Sequence, residues 1–371
     1  MSNNIGVISM GIKTPIIREG DDLSRIVVDS VIKATKAYDG IGYFYNTIND
    51  GDVIGITESI VARAAGLYVT VDDIANDIVK KFGVFPNVIV ENPIYSRNRF
   101  SVILRGIARA ASKIYFVMPP YDEVGNPSGV NQFTGVDIQK YYAEICHEEE
   151  CEAVFGASLW VATKEISDMD IEHHPYIYCG LHDYKSWRAD HPDSNHITLA
   201  DICQNFNPDY GLLGSNKATD EKLKLFPTKK IAQELVEKVQ AMMYKETNKY
   251  VEVMVYGDGC FKDPVGCIWE FADPDTTPGF TQKLNGRPNE IKIKAFADDE
   301  FKDLNGEELT NAIKEKIRNK EVSLVGNMAS QGTTPRRFVD LLASLMDLTS
   351  GSGDKGTPIV LVKNYFKNYS N

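Results

Sequence analysis

Short apolar runs and longer amphipathic segments alternate along most of this chain, which indicates strands separated by helices. The apolar runs are rich in valine and isoleucine, as β-strands usually are. They cover residues 5–10, 52–57, 87–91, 113–118, 251–256, 290–296 and 359–362. Apolar positions at helical spacing predict helices over residues 21–35, 71–82, 229–245, 307–318 and 334–348. This order of elements predicts an α/β (α+β) protein.

The sequence pattern changes between residues 121 and 248. Loops and helices rich in His, Asp, Asn and aromatic residues replace the strand pattern there. We therefore predict a mixed-sheet core built from both ends of the chain, with an inserted helix- and loop-rich central region. Residues 1–120 and 249–371 form the two parts of the core, and residues 121–248 form the insertion or a second domain.

The composition narrows the class of protein. The chain has 371 residues, of which 43% are hydrophobic and 25% charged, so it is long enough for a large core. Its net charge of −12 argues against non-specific binding to nucleic acid or anionic membranes. No run reaches the roughly 18 apolar residues of a membrane span and no secretion signal is present, which predicts a cytoplasmic protein. Six cysteines without a Cys-x-x-Cys pair predict reduced thiols.

The strand predicted at residues 251–256 stops at a Gly-Asp-Gly turn centred on Asp258. Glycines on both sides let the backbone turn and approach a ligand closely. Asp258 and Asp263 offer hard oxygen ligands and Lys262 a cation, a set suited to a divalent ion that carries nucleotide phosphates. Asp-Gly is also the commonest hairpin signal, so a plain turn is the alternative.

Basic residues cluster on the helix that follows residue 96. Helical spacing places Arg97, Arg105 and Arg109 on neighbouring faces, which makes this helix a candidate contact for an anion in an acidic protein. The alternative is a solvated face whose arginines pair with nearby carboxylates.

Two further features carry alternatives. All six histidines fall within residues 147–196, which predicts either a metal or substrate pocket or ordinary core and surface histidines. Residues 350–358 form a glycine-rich loop that is not a P-loop, because it lacks the Gly-Lys-Ser/Thr ending and no helix follows it. Its backbone N–H groups remain able to bind phosphate.

Four segments, taken in order, resemble the gamma-glutamyl ligases that add glutamate to the deazaflavin coenzyme F-420. They are Gly11–Leu23, Asp50–Gly66, Tyr256–Gly266 and Gly351–Pro358. The resemblance implies binding of GTP or ATP, Mg²⁺ or Mn²⁺ as the metal, and a homodimer.

The resemblance also implies roles for individual residues. Those that correspond to nucleotide-contacting positions are Thr14, Pro15, Ile16, Ile17, Glu58, Ser59, Arg63, Gly353 and Gly356. Asp258 corresponds to a metal-binding aspartate, with Asp263 and Asp354 as supporting candidates. Arg63 replaces the usual lysine, so the cation is retained.

The sequence departs from the family pattern in ways that limit which of the family's properties can be assigned to this chain. Residues 106–112 lack the aspartate that supplies another metal ligand in the family, and Ser352 stands nearest to the family's C-terminal glutamate. The central region is also longer than the family core needs. The identity of the substrate is therefore not transferred.

Together these observations predict an amide or peptide ligase that uses GTP or ATP. It would join an amino acid such as glutamate to a carboxylate acceptor through an acyl phosphate. Lys262 and Arg63 would neutralise the phosphates, and Arg105 and Arg109 would bind the acidic substrate. The alternative is a non-catalytic regulatory protein that binds a nucleotide or an acidic metabolite on the same fold.

Overall fold

The computed structural model describes residues 5–36, 47–166, 171–259, 261–262, 265–270, 273–327, 336–351 and 353–370. The strands in these ranges are β1 (Ile8–Ile12), β2 (Val53–Thr57), β3 (Tyr68–Thr70), β4 (Asn87–Glu91), β5 (Lys113–Val117), β6 (Glu152–Gly156), β7 (Tyr176–Tyr178), β8 (His196–Thr198), β9 (Asn216–Thr219), β10 (Lys222–Lys224), β11 (Glu252–Tyr256), β12 (Phe261–Lys262), β13 (Trp269–Glu270), β14 (Gly279–Phe280) and β15 (Ile359–Lys363).

The helices within the described ranges are α1 (Leu23–Lys36), α2 (Glu58–Ala64), α3 (Val71–Phe82), α4 (Arg99–Ala110), α5 (Ile138–Glu148), α6 (Leu159–Ala162), α7 (Tyr184–Asp190), α8 (Lys229–Thr247), α9 (Ile293–Asp298), α10 (Gly306–Arg318) and α11 (Phe338–Thr349). None of the helices described is long and apolar enough to cross a bilayer.

The mixed sheet has the order β1-β15-β2-β11-β14. β2 and β11 are parallel, and the other neighbouring pairs are antiparallel. Its central strands are mostly apolar and are buried along nearly their whole length, because helices cover both faces of the sheet. α1 and α8 pack on one face and α11 on the other. Strands from both ends of the chain meet in this sheet, so the predicted fold class is confirmed.

A second sheet is parallel throughout, with the order β6-β5-β4-β7-β8. α3, α4 and α5 pack together beside it. The central region supplies β6, β7 and β8, so it contributes strands as well as the predicted helices and loops. β4 and β5 precede residue 120, which means that this parallel sheet takes strands from both sides of the division placed there from the sequence.

One predicted element has a different structure. Residues 290–296 were expected to form a strand, whereas α9 begins at Ile293. The alternating apolar residues instead pack on α10, where Ile291 and Phe296 contact a small cluster around Ile313 and Ile317. The prediction was wrong because the apolar partners of this segment lie on a helix and not on a neighbouring strand.

A buried ion pair holds the C-terminal strand to the start of β2. The Lys363 ammonium lies 2.6 Å from the Asp52 carboxylate, and both side chains are 2% exposed. The Asp52 carboxylate also accepts from the Asn49 backbone N–H at 2.9 Å. β15 is therefore held in place by this ion pair as well as by its backbone hydrogen bonds to the neighbouring strands.

We expect Lys363→Ala to lower the free energy of unfolding by about 3–5 kcal/mol, because it leaves the Asp52 carboxylate buried without its cation. Urea denaturation followed by circular dichroism measures the change. Lys367→Ala, at an exposed position four residues later, is the matched control and should change stability little. Equal losses in the two variants would contradict a structural role for this pair.

Candidate functional site

The predicted motifs meet at one edge of the mixed sheet, called here the loop edge. It is formed by the carboxyl ends of β1, β2 and β11 and the amino end of β15. The register requires this, because Ile12 pairs with Ile359, Ile359 with Ile56, and Thr57 with Tyr256. The loop before β15 follows the same edge, since the Thr57 N–H donates to the Pro358 carbonyl at 3.0 Å. The Asp258 turn and the glycine-rich loop therefore lie on the same side of the sheet.

Asp258 follows β11 and forms an ion pair with Arg99. Its backbone N–H donates to the Asp273 carboxylate at 2.7 Å. Gly257 is needed for this approach, because a Cβ there would lie 2.0 Å from an Asp273 oxygen. The glycine before Asp258 thus serves a close contact inside the protein.

Arg99 lies on the side of the parallel sheet. It is the first residue of α4, which follows the carboxyl end of β4, and its backbone N–H donates to the Ser96 hydroxyl at 3.0 Å. One guanidinium nitrogen contacts Asp258, and the other lies 3.5 Å from Asp273. Burial disfavours the Arg99 cation, but Asp258 and Asp273 raise its pKa above the ordinary value. Arg99 was not among the residues predicted from the sequence, although the two arginines at positions 97 and 99 were a signal.

Two more carboxylates lie beside this pair. Glu58 opens α2 at the end of β2, and the Lys224 ammonium donates to its two oxygens at 3.0 and 3.1 Å. Burial raises the pKa of Glu58, and Lys224 opposes that rise. Burial, followed by the charges of Asp258 and Glu58, raises the pKa of Asp273 well above its ordinary value. The site therefore concentrates negative charge that Arg99 and Lys224 balance.

A cavity of about 630 Å³ opens beside Asp258, between the loops of the two sheets; it is called here the seam cavity. Its lining combines cations, amides and aromatic rings. The lining residues include Arg97, Arg99, Asn126, Asn131, Phe133, Asp258 and Trp269.

The N-terminal loop borders a separate cavity of about 620 Å³ between β1 and α1. Four residues of this loop were predicted to hold the nucleotide, and two of them, Thr14 and Pro15, line this cavity. Ile16 points outward with 81% of its surface exposed, whereas Ile17 packs in the core. The side chains of this loop therefore lie in three places: some line the cavity, one is in solvent and one is in the core.

The remaining predicted residues differ in position and in exposure. Ser59 is half-buried near the start of α2, and Arg63 is exposed near the end of that helix. In the glycine-rich loop, where the Thr357 N–H donates to the Gly351 carbonyl, the exposed residues include Gly353, Asp354 and Gly356. Only the backbone of Lys262 is described, in β12, and Asp263 lies outside the described residues.

Arg105 and Arg109 are engaged by carboxylates. Arg105 donates to Glu149 at 2.9 Å and Glu148 at 2.7 Å. Arg109 grips Glu149 through two nitrogens, at 2.8 and 3.0 Å, and also pairs with Asp72 and Glu221. This arrangement matches the alternative reading of the sequence, in which the arginines neutralise nearby acids.

The segment that lacks the family's aspartate lies far along α4 from Asp258. Ala108 is fully buried in the core, and the chain enters the amino end of β5 after Ser112. Arg99 starts the same helix, so Ala108 lies about 14 Å further along at 1.5 Å per residue. The carboxylates beside Asp258 come instead from Glu58 and Asp273.

Three histidines of the central region, His174, His191 and His196, take part in aromatic packing. His191 stacks on Trp187 with a centroid distance of 4.2 Å, and His196 packs edge-on against Tyr176. Among the described residues, no group of three or more His, Cys, Asp or Glu side chains is arranged to hold a metal ion. His173, His191 and His196 also line a cavity of about 530 Å³, so the structure contains both the packing and the pocket that were predicted as alternatives.

An α/β sheet whose loops gather carboxylates and a buried arginine beside two cavities is the architecture of a ligand-binding α/β protein. The model of the F420-0:gamma-glutamyl ligase family matches residues 11–364, so the chain belongs to that family. This confirms the resemblance drawn from four segments and extends it through the central region. No curated protein matches the chain.

We expect Lys224→Met to destabilise the protein by about 3–5 kcal/mol, because Glu58 then loses its buried cation. Burial raises the pKa of Glu58, so the variant's stability should fall as pH rises above the unfolded value of about 4.3. Below that pH Glu58 is protonated in both states and the penalty is smallest. Chemical denaturation between pH 4 and 8 measures it.

Lys230→Met, at an exposed position, is the control for that experiment. It should show little loss at any pH in the series. A loss in Lys224→Met that does not depend on pH would contradict the role assigned to Glu58.

Proposed function

We propose that this member of the family is an NTP-dependent ligase, using GTP or ATP, that joins an amino acid such as glutamate to a carboxylate acceptor. The family match supports the ligase class. The observation that carries the proposal is the convergence of the Asp258 turn, Glu58 and the N-terminal and glycine-rich loops on one edge of the mixed sheet. A site for a triphosphate and two further substrates needs several loops at one place.

The nucleotide would bind along the loop edge. Thr14 and Pro15 border the cavity against α1, and Lys13 and Lys33 line the same cavity. β1 and β11 are three ladder steps apart, about 14 Å at a strand spacing near 4.8 Å. An extended ligand held at the N-terminal loop would therefore direct its phosphates along the edge toward Asp258, past the glycine-rich loop.

Mg²⁺ or Mn²⁺ would neutralise the phosphates. Asp258 is the carboxylate best suited to hold it, because its side chain is 25% exposed and glycines flank it. The described residues offer no cage of three or more ligands, which suits a Mg²⁺ ion held mainly by phosphate oxygens and water. Arg99 contacts Asp258 directly, so it would have to share or release that carboxylate.

The reaction would proceed in two transfers. An oxygen of the acceptor carboxylate attacks the γ-phosphorus, the bond to the nucleoside diphosphate breaks, and an acyl phosphate forms. The amine of the amino acid then attacks the acyl carbon, phosphate leaves, and the amine loses a proton. Arg99, held between Asp258 and Asp273, would offset the negative charge that gathers beside Asp258, and screening such charge is the larger part of the protein's task in phosphoryl transfer.

One observation favours the alternative of a non-catalytic binding protein. The Arg99 guanidinium already neutralises Asp258, and an arginine can replace a metal ion as the counter-charge of a carboxylate. Turnover separates the two functions. The ligase requires release of phosphate from GTP or ATP that depends on Mg²⁺ and on an amino acid together with an acceptor, and a product one amino acid heavier by mass spectrometry. Binding of the nucleotide without such release would support the alternative.

We expect Asp258→Asn to weaken binding of Mg²⁺–GTP or Mg²⁺–ATP by about tenfold or more, because a neutral amide holds the cation poorly. Calorimetry with and without Mg²⁺ measures this effect. Asp354→Asn, in the exposed glycine-rich loop, tests the second carboxylate in parallel. Unchanged Mg²⁺-dependent affinity in Asp258→Asn, with its fold intact by circular dichroism, would remove Asp258 from the site.

A further inference from the structure

We propose that Cys146 and Cys151 form a reversible redox pair, which a low-molecular-weight disulfide such as oxidised glutathione converts to an internal disulfide. Cys146 lies in the last turn of α5, and Cys151 directly precedes β6. Both thiols are free and buried in this structure. They lie at the amino end of β6, whereas the seam cavity is lined by loops that follow the carboxyl ends of β4 and β5. The redox pair is therefore separate from the site proposed for the ligase.

The way in which α5 ends places the two cysteines beside each other. The Cys151 N–H donates to the Cys146 carbonyl at 2.8 Å, and the Glu150 N–H donates to the His147 carbonyl at 3.1 Å. Glu150 has a φ of 58°, in the left-handed region. These features define a Schellman motif, in which the side chains at the positions of Cys146 and Cys151 frequently make an apolar contact. In this protein the contact joins two thiols.

The backbone hydrogen bond also limits the distance between the two Cα atoms. To the N···O distance of 2.8 Å, the N–Cα bond of Cys151 adds about 1.5 Å and the Cα···O span of Cys146 adds about 2.4 Å. The Cα atoms therefore lie at most about 6.7 Å apart. Disulfides usually join Cα atoms roughly 4.4–6.8 Å apart, so the backbone already has a spacing that a disulfide accepts.

The two thiols hydrogen-bond to each other and are shielded from solvent. The hydrogen bond with the Cys151 thiol, followed by burial, raises the pKa of Cys146 above its ordinary value. Cys146 is 0% exposed and Cys151 is 6% exposed, so Cys151 is the entry point for an oxidant. Because the end of α5 must open before a buried thiol can react, we expect the exchange to be slow.

The reaction exchanges one disulfide for another. The Cys151 thiol loses its proton and attacks one sulfur of oxidised glutathione, the glutathione disulfide breaks, and one glutathione leaves as a thiolate. The Cys146 thiol then loses its proton and attacks the Cys151 sulfur of the mixed disulfide, which releases the second glutathione thiolate. The two thiolates take up the two protons. Two protein thiols and one oxidised glutathione thus become one protein disulfide and two reduced glutathiones.

The segment that the disulfide would close contains a structural contact. The Glu149 carboxylate accepts from Arg105 at 2.9 Å and from Arg109 at 2.8 and 3.0 Å, which ties the end of α5 to α4. A cross-link between Cys146 and Cys151 would restrict this segment in the unfolded chain while leaving the folded backbone in place. We therefore expect the oxidised protein to be more stable than the reduced protein.

The test equilibrates the full chain with mixtures of reduced and oxidised glutathione at mildly alkaline pH, and then blocks free thiols with iodoacetamide in denaturant. Trypsin releases residues 141–164 as one peptide, which contains only these two cysteines. Mass spectrometry should find this peptide lighter by two hydrogens and without alkylation as oxidised glutathione increases. We expect the equilibrium constant for closing the disulfide to be at least about tenfold larger in the folded chain than in the chain unfolded by guanidinium, because folding holds the cysteines together.

Three variants complete the experiment. Cys146→Ser and Cys151→Ser should each leave one thiol that is alkylated or carries glutathione, with no internal disulfide in the peptide. Cys179→Ser, at another buried cysteine, is the matched control and should leave the equilibrium constant unchanged. Equal constants in the folded and unfolded chain would overturn the proposal. So would a doubly alkylated peptide at every glutathione ratio, including those at which the exposed Cys267 carries glutathione.

Discussion

The contact between the Arg99 guanidinium and the Asp258 carboxylate connects the two halves of the proposed site. Asp258 ends β11 of the mixed sheet, and Arg99 opens α4 after β4 of the parallel sheet. Asp273, 1% exposed, lies 3.5 Å from the same guanidinium, whose charge opposes the rise in the pKa of Asp273 that burial causes. Without that cation, carboxylates would face one another in a poorly solvated place, at a cost of several kcal/mol. The seam cavity opens beside this pair, where the loops of the two sheets meet.

This arrangement follows from the direction of strands. Parallel neighbours end at the same edge, and the loops that leave them reach the same space. β2 and β11 bring Glu58 and Asp258 together in this way, and β4 and β5 do the same for the loops that carry Arg97 and Asn126. Each sheet thus contributes polar side chains from the loops at one of its edges. The proposed reaction takes place where these two sets of loops face each other.

The cationic side chains of this acidic protein differ in their partners. Arg105 and Arg109 are paired with carboxylates of neighbouring elements, and Lys224 and Lys363 neutralise buried ones. Arg97, by contrast, is exposed and lines the seam cavity, and its guanidinium has no ion-pair partner among the described residues. The positions of the arginines in the sequence could not predict these different roles. Each role depends on which carboxylates of other helices and strands lie close to the arginine in the folded protein.

The sequence by itself determined most elements, the strand ends that carry Asp258 and Glu58, and the family. These are local properties: the period of apolar residues, the glycines at a turn, and short motifs in order. Only the tertiary structure decided that β4 to β8 form one parallel sheet across residue 120, that residues 293–298 are helical, and that Arg99 meets Asp258. Strand partners and buried ion pairs join residues far apart in the chain. Their energy depends on burial and distance, which no local pattern specifies.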